Sequence, residues 1–214
     1  MIHTIPEPAI KRLSIMYQYL CRLSDDNVTH VSSRELGTYM DVSAHTIRKD
    51  ISYLKNAMTG GAKYPVQRLK EIIAGMLNFD QPRFACVVGL GRIGSAVLQY
   101  NMFKPNGFIM KAGFDSSINR IETIKTECDL FPSYQITEKV RKLGIELAVL
   151  AVPSDAAQTS ADRLAAGGIK GIVNFTSTTI GCGSHIHIID IDVTREFRIL
   201  SAMISLFGNK KEDA

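Results

Sequence analysis

Apolar residues recur along this chain with two different periods. From Ala9 to Leu23, Ile10, Leu13, Met16, Tyr17 and Leu20 fall at helical spacing and form one apolar face. The cluster Asp25-Asp26-Asn27 ends that helix. Ser32 or Ser33 can cap a short second helix with Leu36, Tyr39 and Met40 on its inner side. After a tight turn, Ser43 caps a third helix running to about Leu54, with Ile47, Ile51 and Leu54 inward. Thr59 to Lys63 reads as a glycine-rich loop or hairpin, and Val66 to Leu77 as a fourth helix.

From residue 84 the pattern alternates short apolar runs with helical stretches, the signature of βαβ units. Phe84–Val88, Gly107–Phe114, Leu147–Val152, Gly171–Phe175 and His185–Ile189 read as strands. Ser95–Phe103, Gln135–Leu143 and Asp155–Ala166 read as helices. A last helix, Thr194–Phe207, is apolar at Phe197, Leu200, Ile204 and Phe207, and must bury that face on its own chain or on a partner subunit. Asp80 and Pro82 break the chain between the two regimes. The expected fold is α/β: a winged helix-turn-helix over residues 1–80, a Rossmann dinucleotide-binding domain over 81–192 and a C-terminal helical segment over 193–214.

Composition narrows the class. The chain has 214 residues, 45% of them hydrophobic, which excludes a disordered polymer. No apolar run reaches the roughly 18–20 residues that span a bilayer. The first residues carry no long apolar segment, so no secretory leader is expected. Cys21, Cys86, Cys128 and Cys182 are scattered with no CxxC pair, which argues against a zinc module or a disulfide framework and for a reducing cytoplasm. The net charge of +4 is too small to name a partner, since residues 1–80 hold 10 basic against 8 acidic side chains. DNA binding would therefore need basic groups focused on one face.

The third helix offers that face. With Ile47 and Ile51 inward, Ala44, His45, Arg48 and Lys49 project outward, with Ser43 and Thr46 at its start. Such side chains reach base edges and phosphates when a helix enters a major groove. An ordinary solvated surface helix is the alternative reading of the same pattern.

The strand at Phe84–Val88 runs into Gly89-Leu90-Gly91-Arg92-Ile93-Gly94, and a helix follows. This is GxGxxG in its proper context: one glycine for the turn, one for close approach of a pyrophosphate, one for helix–strand packing. Free N–H groups at the helix start favour the phosphate charge. Asp115 ends the next strand, 21 residues after Gly94, where a carboxylate can accept the ribose hydroxyls of NAD and repel the 2′-phosphate of NADP. No catalytic constellation is evident. His185 and His187 alternate on a strand without further ligands at metal spacing, and Ser154-Asp155 reads as a helix cap.

Taken together the motifs resemble one family across nearly the whole chain. IPEPAIKRL (5–13), VSSRELG (31–37), SAHTIRKDISYL (43–54), VVGLGRIGSAV (87–97), FDSS (114–117), AVPSDAAQTSADRLAAGGIKGIVNF (151–175) and IDVTREFRILS (191–201) look like the Rex family of redox-sensing transcriptional repressors. The resemblance implies a homodimer with its C-terminal helix swapped, bound to double-stranded operator DNA. NADH would release it and NAD+ would compete. It places Arg48 and Lys49 on DNA, with Lys63 near the wing, and Gly89, Gly91 and Gly94 on the pyrophosphate. It places Asp115 on the adenosine ribose, and Ala151, Val152, Pro153 and Asn174 on the nicotinamide side. Tyr100 and Asp192 would belong to a switch network.

The chain departs from the family pattern at several of these places. The wing arginine position is Gly60, the second acid of Phe-Asp-x-Asp-Pro is Ser117, Asn-Phe-Ala-Pro reads Asn174-Phe175-Thr176-Ser177, and a switch arginine of the first helix falls at Gln18. A divergent winged-helix regulator with an altered or lost dinucleotide response is therefore an alternative, and a small NAD-dependent oxidoreductase is another.

Overall fold

A computed structural model describes residues 5–54 and 63–207. The chain divides into two compact units, residues 1–81 and 82–214.

The first unit runs α1 (Glu7–Asp25), β1 (His30–Ser32), α2 (Ser33–Met40), α3 (Ala44–Ser52), β2 (Lys63–Pro65) and α4 (Val66–Leu77). Its core joins Leu13, Met16 and Leu20 of α1 to Leu36, Ile47, Ile51, Leu54, Leu69 and Ile73. Each such side chain, fully buried, contributes about 1.5–3 kcal/mol. Ser32 caps α2 in a reciprocal box with Glu35: its hydroxyl accepts from the Glu35 N–H, and the Glu35 carboxylate accepts from the Ser32 N–H. Those bonds hold the Glu35 carboxyl below its usual range. Lys63–Pro65 pairs antiparallel with His30–Ser32, which precedes α2. Three-residue strands are too short to show alternation, so β1 was not legible in the sequence. The rest of the expected glycine-rich loop, Gly60 included, lies outside the described residues.

The second unit runs β3 (Arg83–Val88), α5 (Arg92–Leu98), β4 (Phe108–Asp115), α6 (Ile118–Thr123), β5 (Asp129–Pro132), α7 (Ile136–Lys142), β6 (Leu147–Leu150), α8 (Ser154–Gly167), β7 (Gly171–Asn174), β8 (His187–Asp190) and α9 (Val193–Phe207). Six strands form one sheet in the order β5-β4-β3-β6-β7-β8, every pair parallel. The order reverses between β3 and β6, and the carboxyl ends of those two strands flank the crevice where such folds bind ligands. The expected helix to Phe103 ends at Leu98 instead, and Pro105 sits in a separate 3-10 turn at Lys104–Asn106. Strand β8 begins at His187 rather than His185. At the amino ends of the central strands β3, β6 and β7, Glu146 joins Lys170 and Arg83. The Lys170 bond, then that of Arg83, holds the Glu146 carboxyl below its usual range against the cost of partial burial.

Among the described residues no helix is long and apolar enough to cross a membrane, and no cluster of three or more His, Cys, Asp or Glu could hold a metal ion.

Candidate functional site

Two sites are built, one in each unit. In the first, α2 and α3 meet through a turn that needs Gly37. A Cβ there would come within 2.5 Å of the Val42 carbonyl oxygen. Asp41 follows in the left-handed conformation at φ 52°, which Asp tolerates. The Ser43 hydroxyl then accepts from the Thr46 N–H at 3.1 Å and starts α3. His45, Arg48 and Lys49 lie exposed on α3, and Lys63 is exposed at the start of β2. Arg48 donates to the Ser33 hydroxyl at 3.1 Å, which aims its guanidinium along the face shared by α2 and α3.

The inner face of α3 carries a group that periodicity alone would have found. Asp50 stands three residues after Ile47 and one before Ile51, and is 1% exposed. Both its oxygens accept from Arg12 of α1, at 2.5 and 2.8 Å. This bidentate pair ties the outward-facing helix to the longest helix of the unit.

In the second unit the three glycines of the loop after β3 answer three different demands. Gly89 has φ +91°, and a Cβ on it would strike the Ala151 carbonyl oxygen at 2.5 Å. Gly94 packs so tightly that a Cβ would lie 1.8 Å from the Gly89 carbonyl oxygen. A Cβ on Gly91 would meet nothing within 4 Å. That open space over the loop, at the first turn of α5, is the cradle a pyrophosphate would fill. Leu90 is buried beside the loop, whereas Arg92 and Ile93 are exposed on it. The Ala151-Val152-Pro153 turn abuts the loop, with the Ala151 N–H donating to the Val88 carbonyl at 2.8 Å.

Asp115 ends β4, 3% exposed, and is engaged by its own chain. Its Oδ2 accepts from the Leu90 N–H and its Oδ1 from the Ser117 N–H, both at 2.7 Å. Arg120 of α6 reaches the two oxygens at 3.3 and 3.4 Å. Asn174 is likewise occupied. Its amide donates to Asp190 at 2.7 Å and to the Thr178 carbonyl at 3.0 Å, and its oxygen accepts from the N–H and hydroxyl of Thr176. It therefore shapes the loop after β7, which Gln158 also clamps at both the N–H and the carbonyl of Gly181. Tyr100 is exposed with its ring edge against Phe103, Asp192 accepts from the Arg195 N–H at the start of α9, and Gln18 is exposed on α1. Burial raises the thiol pKa of Cys86, Cys128 and Cys182.

Gly37, Arg12, Asp50 and Arg120 are site residues that no motif in the sequence marks. Asp50 was signalled by its place in the Ile47–Ile51 stripe, and Gly37 by a glycine inside a helical run. Arg12 lies 38 residues from its partner, so only the fold could pair them.

The architecture defines a protein with a helix-turn-helix unit and a dinucleotide-type α/β unit in one chain. Comparison with known proteins agrees. A family of DNA-binding protein N-termini matches residues 4–52, and the CoA binding domain family matches residues 80–178. The redox-sensing transcriptional repressor Rex of Limosilactobacillus reuteri (strain DSM 20016) is 33% identical over 210 residues, covering 98% of this chain and 97% of that protein. The Rex of Ligilactobacillus salivarius (strain UCC118) is 34% identical over 208 residues, covering 97% and 98%. The crystal structure of RSP in complex with NAD+ and operator DNA matches with a TM-score of 0.86 at 27% identity over 99% of both chains. RSP in complex with NADH matches with a TM-score of 0.83 at 26% identity, over 94% of this chain and 95% of that one. The chain belongs to the Rex family of redox-sensing transcriptional repressors.

Proposed function

We propose that this chain is a cytoplasmic, homodimeric DNA-binding repressor that leaves its operator when NADH binds, with NAD+ as the competing ligand. The observation that carries the reading is the open space at Gly91, framed by Gly89 and Gly94, in the same chain as a capped helix presenting His45, Arg48 and Lys49. Ser43, His45, Thr46, Arg48, Lys49 and Lys63 form the DNA face. The loop from Gly89 to Gly94 holds the pyrophosphate, Asp115 faces the adenosine ribose, and Ala151, Val152, Pro153 and Asn174 border the nicotinamide. The bound dinucleotide supplies a difference in charge and ring shape between its oxidised and reduced forms, so it acts as a signal and the chain is a regulator rather than an enzyme.

A ligand shifts an equilibrium only if it binds one conformation better than the other. The apolar turn at Ala151-Val152-Pro153 disfavours the cationic ring of NAD+, because a buried unpaired charge is costly. Going from 1:99 to 99:1 takes about 5.5 kcal/mol of differential binding. Tyr100 and Asp192 couple the ligand to the DNA face in this reading.

The test is calorimetric titration with NADH and with NAD+ at fixed salt, followed by release from a duplex selected by the protein from random sequence. Saturable NADH binding, tighter than NAD+, with release of that duplex is expected. Tyr100→Phe and Asp192→Ala should blunt release while NADH still binds, and unchanged release in both would remove them from the switch. Binding of neither dinucleotide would overturn the reading and turn the search to adenine nucleotides and CoA derivatives.

A further inference from the structure

We propose that Asp190 sets how sharply this site separates NADH from NAD+: its carboxylate holds a negative charge beside the nicotinamide half and draws the cationic ring in. The inference rests on the reading of the loop at Gly89–Gly94 as a dinucleotide site.

The sheet order decides which end of a dinucleotide meets Asp190. A pyrophosphate over Gly91 lies at the carboxyl end of β3, and Asp115 marks the adenosine half on the β4 side. The nicotinamide half then runs the other way, over the ends of β6 and β7. Strand β7 ends at Asn174 and β8 at Asp190, and the two residues are paired in register. Asp190 therefore stands one strand, about 5 Å, beyond Asn174. The Asn174 amide donates to its Oδ1 at 2.7 Å, which fixes the carboxylate against the loop after β7.

Among the described residues no cation is paired with that carboxylate. Arg195 is the nearest arginine or lysine in sequence. It gives its Nη2 to the Asp190 carbonyl oxygen at 3.3 Å and its Nε to Glu196 at 3.4 Å. From Asp190 to Glu196, Asp190, Asp192 and Glu196 stand against that one arginine, so the segment is net negative. The loop after β7, residues 175–186, holds no Asp, Glu, Lys or Arg, and leaves the field to Asp190.

NAD+ differs from NADH by a positive charge on its ring, and two features of the site act on that charge in opposite directions. The turn Ala151-Val152-Pro153 is apolar and makes the cation costly to enclose. Asp190 lowers that cost by attraction, which acts over several ångströms in surroundings less polar than water. The neutral ring of NADH gains nothing from it. Asp190 thus narrows the gap between the two ligands and raises the NADH/NAD+ ratio at which the chain leaves its operator. It determines specificity through its field, without touching the ring.

The experiment titrates wild type, Asp190→Asn, Asp190→Glu and Asp190→Ala with NADH, NAD+ and ADP-ribose at fixed salt, after thermal melting has checked each fold. Asp190→Asn keeps the shape and can still accept from Asn174, so only the charge goes. It should weaken NAD+ about three- to tenfold relative to NADH, the scale of one partly solvated unit charge. ADP-ribose, which has no ring charge, should follow NADH. Asp190→Glu should keep the wild-type ratio, and Asp190→Ala should match Asp190→Asn. With NAD+ present, Asp190→Asn should also leave its duplex at a correspondingly lower NADH/NAD+ ratio. An unchanged ratio of affinities in Asp190→Asn, or a change confined to Asp190→Ala, would overturn the inference while leaving the proposed function standing. So would an equal loss of all three ligands in Asp190→Asn. Binding of neither dinucleotide by wild type would overturn the proposed function, and this inference with it.

Discussion

A Cβ placed on Gly94 would sit 1.8 Å from the Gly89 carbonyl oxygen, whereas one on Gly91 would meet nothing within 4 Å. The same motif thus contains two glycines that the fold requires, Gly89 and Gly94, and one, Gly91, that the packing leaves free. Gly91 also has φ −69°, which any L residue adopts, so a side chain there meets no backbone strain. Gly94→Ala must push apart a helix and the loop it packs on, at a cost of about 3 kcal/mol or more, within the range of severe overpacking. Gly91→Val should change stability by about 1 kcal/mol, the loss of a favoured residue at the helix N-cap, and so much less than Gly94→Ala. It should nonetheless weaken NADH at least tenfold, by filling the space of the pyrophosphate. Denaturant unfolding beside NADH titration separates the two. A Gly91→Val protein that binds NADH normally would place the dinucleotide elsewhere.

Between α1 and α3 the deciding contact is the Arg12–Asp50 pair. Arg12 is 28% exposed in its side chain and Asp50 1%, so removing the arginine leaves a buried carboxylate with no cation. Arg12→Ala should cost about 3 kcal/mol, since breaking a buried pair is worse than replacing it. Arg12→Met with Asp50→Leu should recover much of that loss. Both changes are read by the urea midpoint, and a cost below about 1 kcal/mol for Arg12→Ala would reduce the pair to a surface ion pair. What sequence could show of these elements follows from their length. Helix α4 spans Val66–Leu77 and α9 Val193–Phe207, within one residue of the pattern's limits, because each repeats its apolar stripe over three or more turns. Strands β1 and β5 and helix α6 span only three to six residues and gave no such repeat. The glycine loop and Asp115 were legible because a fixed spacing carries them. The occupation of Asp115 by Leu90, Ser117 and Arg120 was not, because it depends on side-chain direction after the turn has formed.

Among the described residues a large apolar surface lies open on the last helix. Helix α9 has 15 residues and none is buried. Phe197 is 69% exposed and Ile204 71%, with Leu200, Met203 and Phe207 also open. Contiguous apolar surface of this kind marks an interaction site. A second copy of the chain is the occupant that the family resemblance implies, and a two-fold pair would also present two α3 helices to half-sites separated by whole turns of DNA, about 10 base pairs each. Placing two carboxylates on that face makes association costly without touching the core of either compact unit. Phe197→Asp with Ile204→Asp should therefore yield a folded monomer of 23.6 kDa by light scattering, where the unaltered chain is expected to run at twice that mass. Its circular dichroism should be retained apart from α9. Its NADH binding should change less than its affinity for a palindromic duplex, because each half-site would then be held by a single helix unit. A variant that remains a dimer would assign α9 to another role and move the subunit interface elsewhere on the chain.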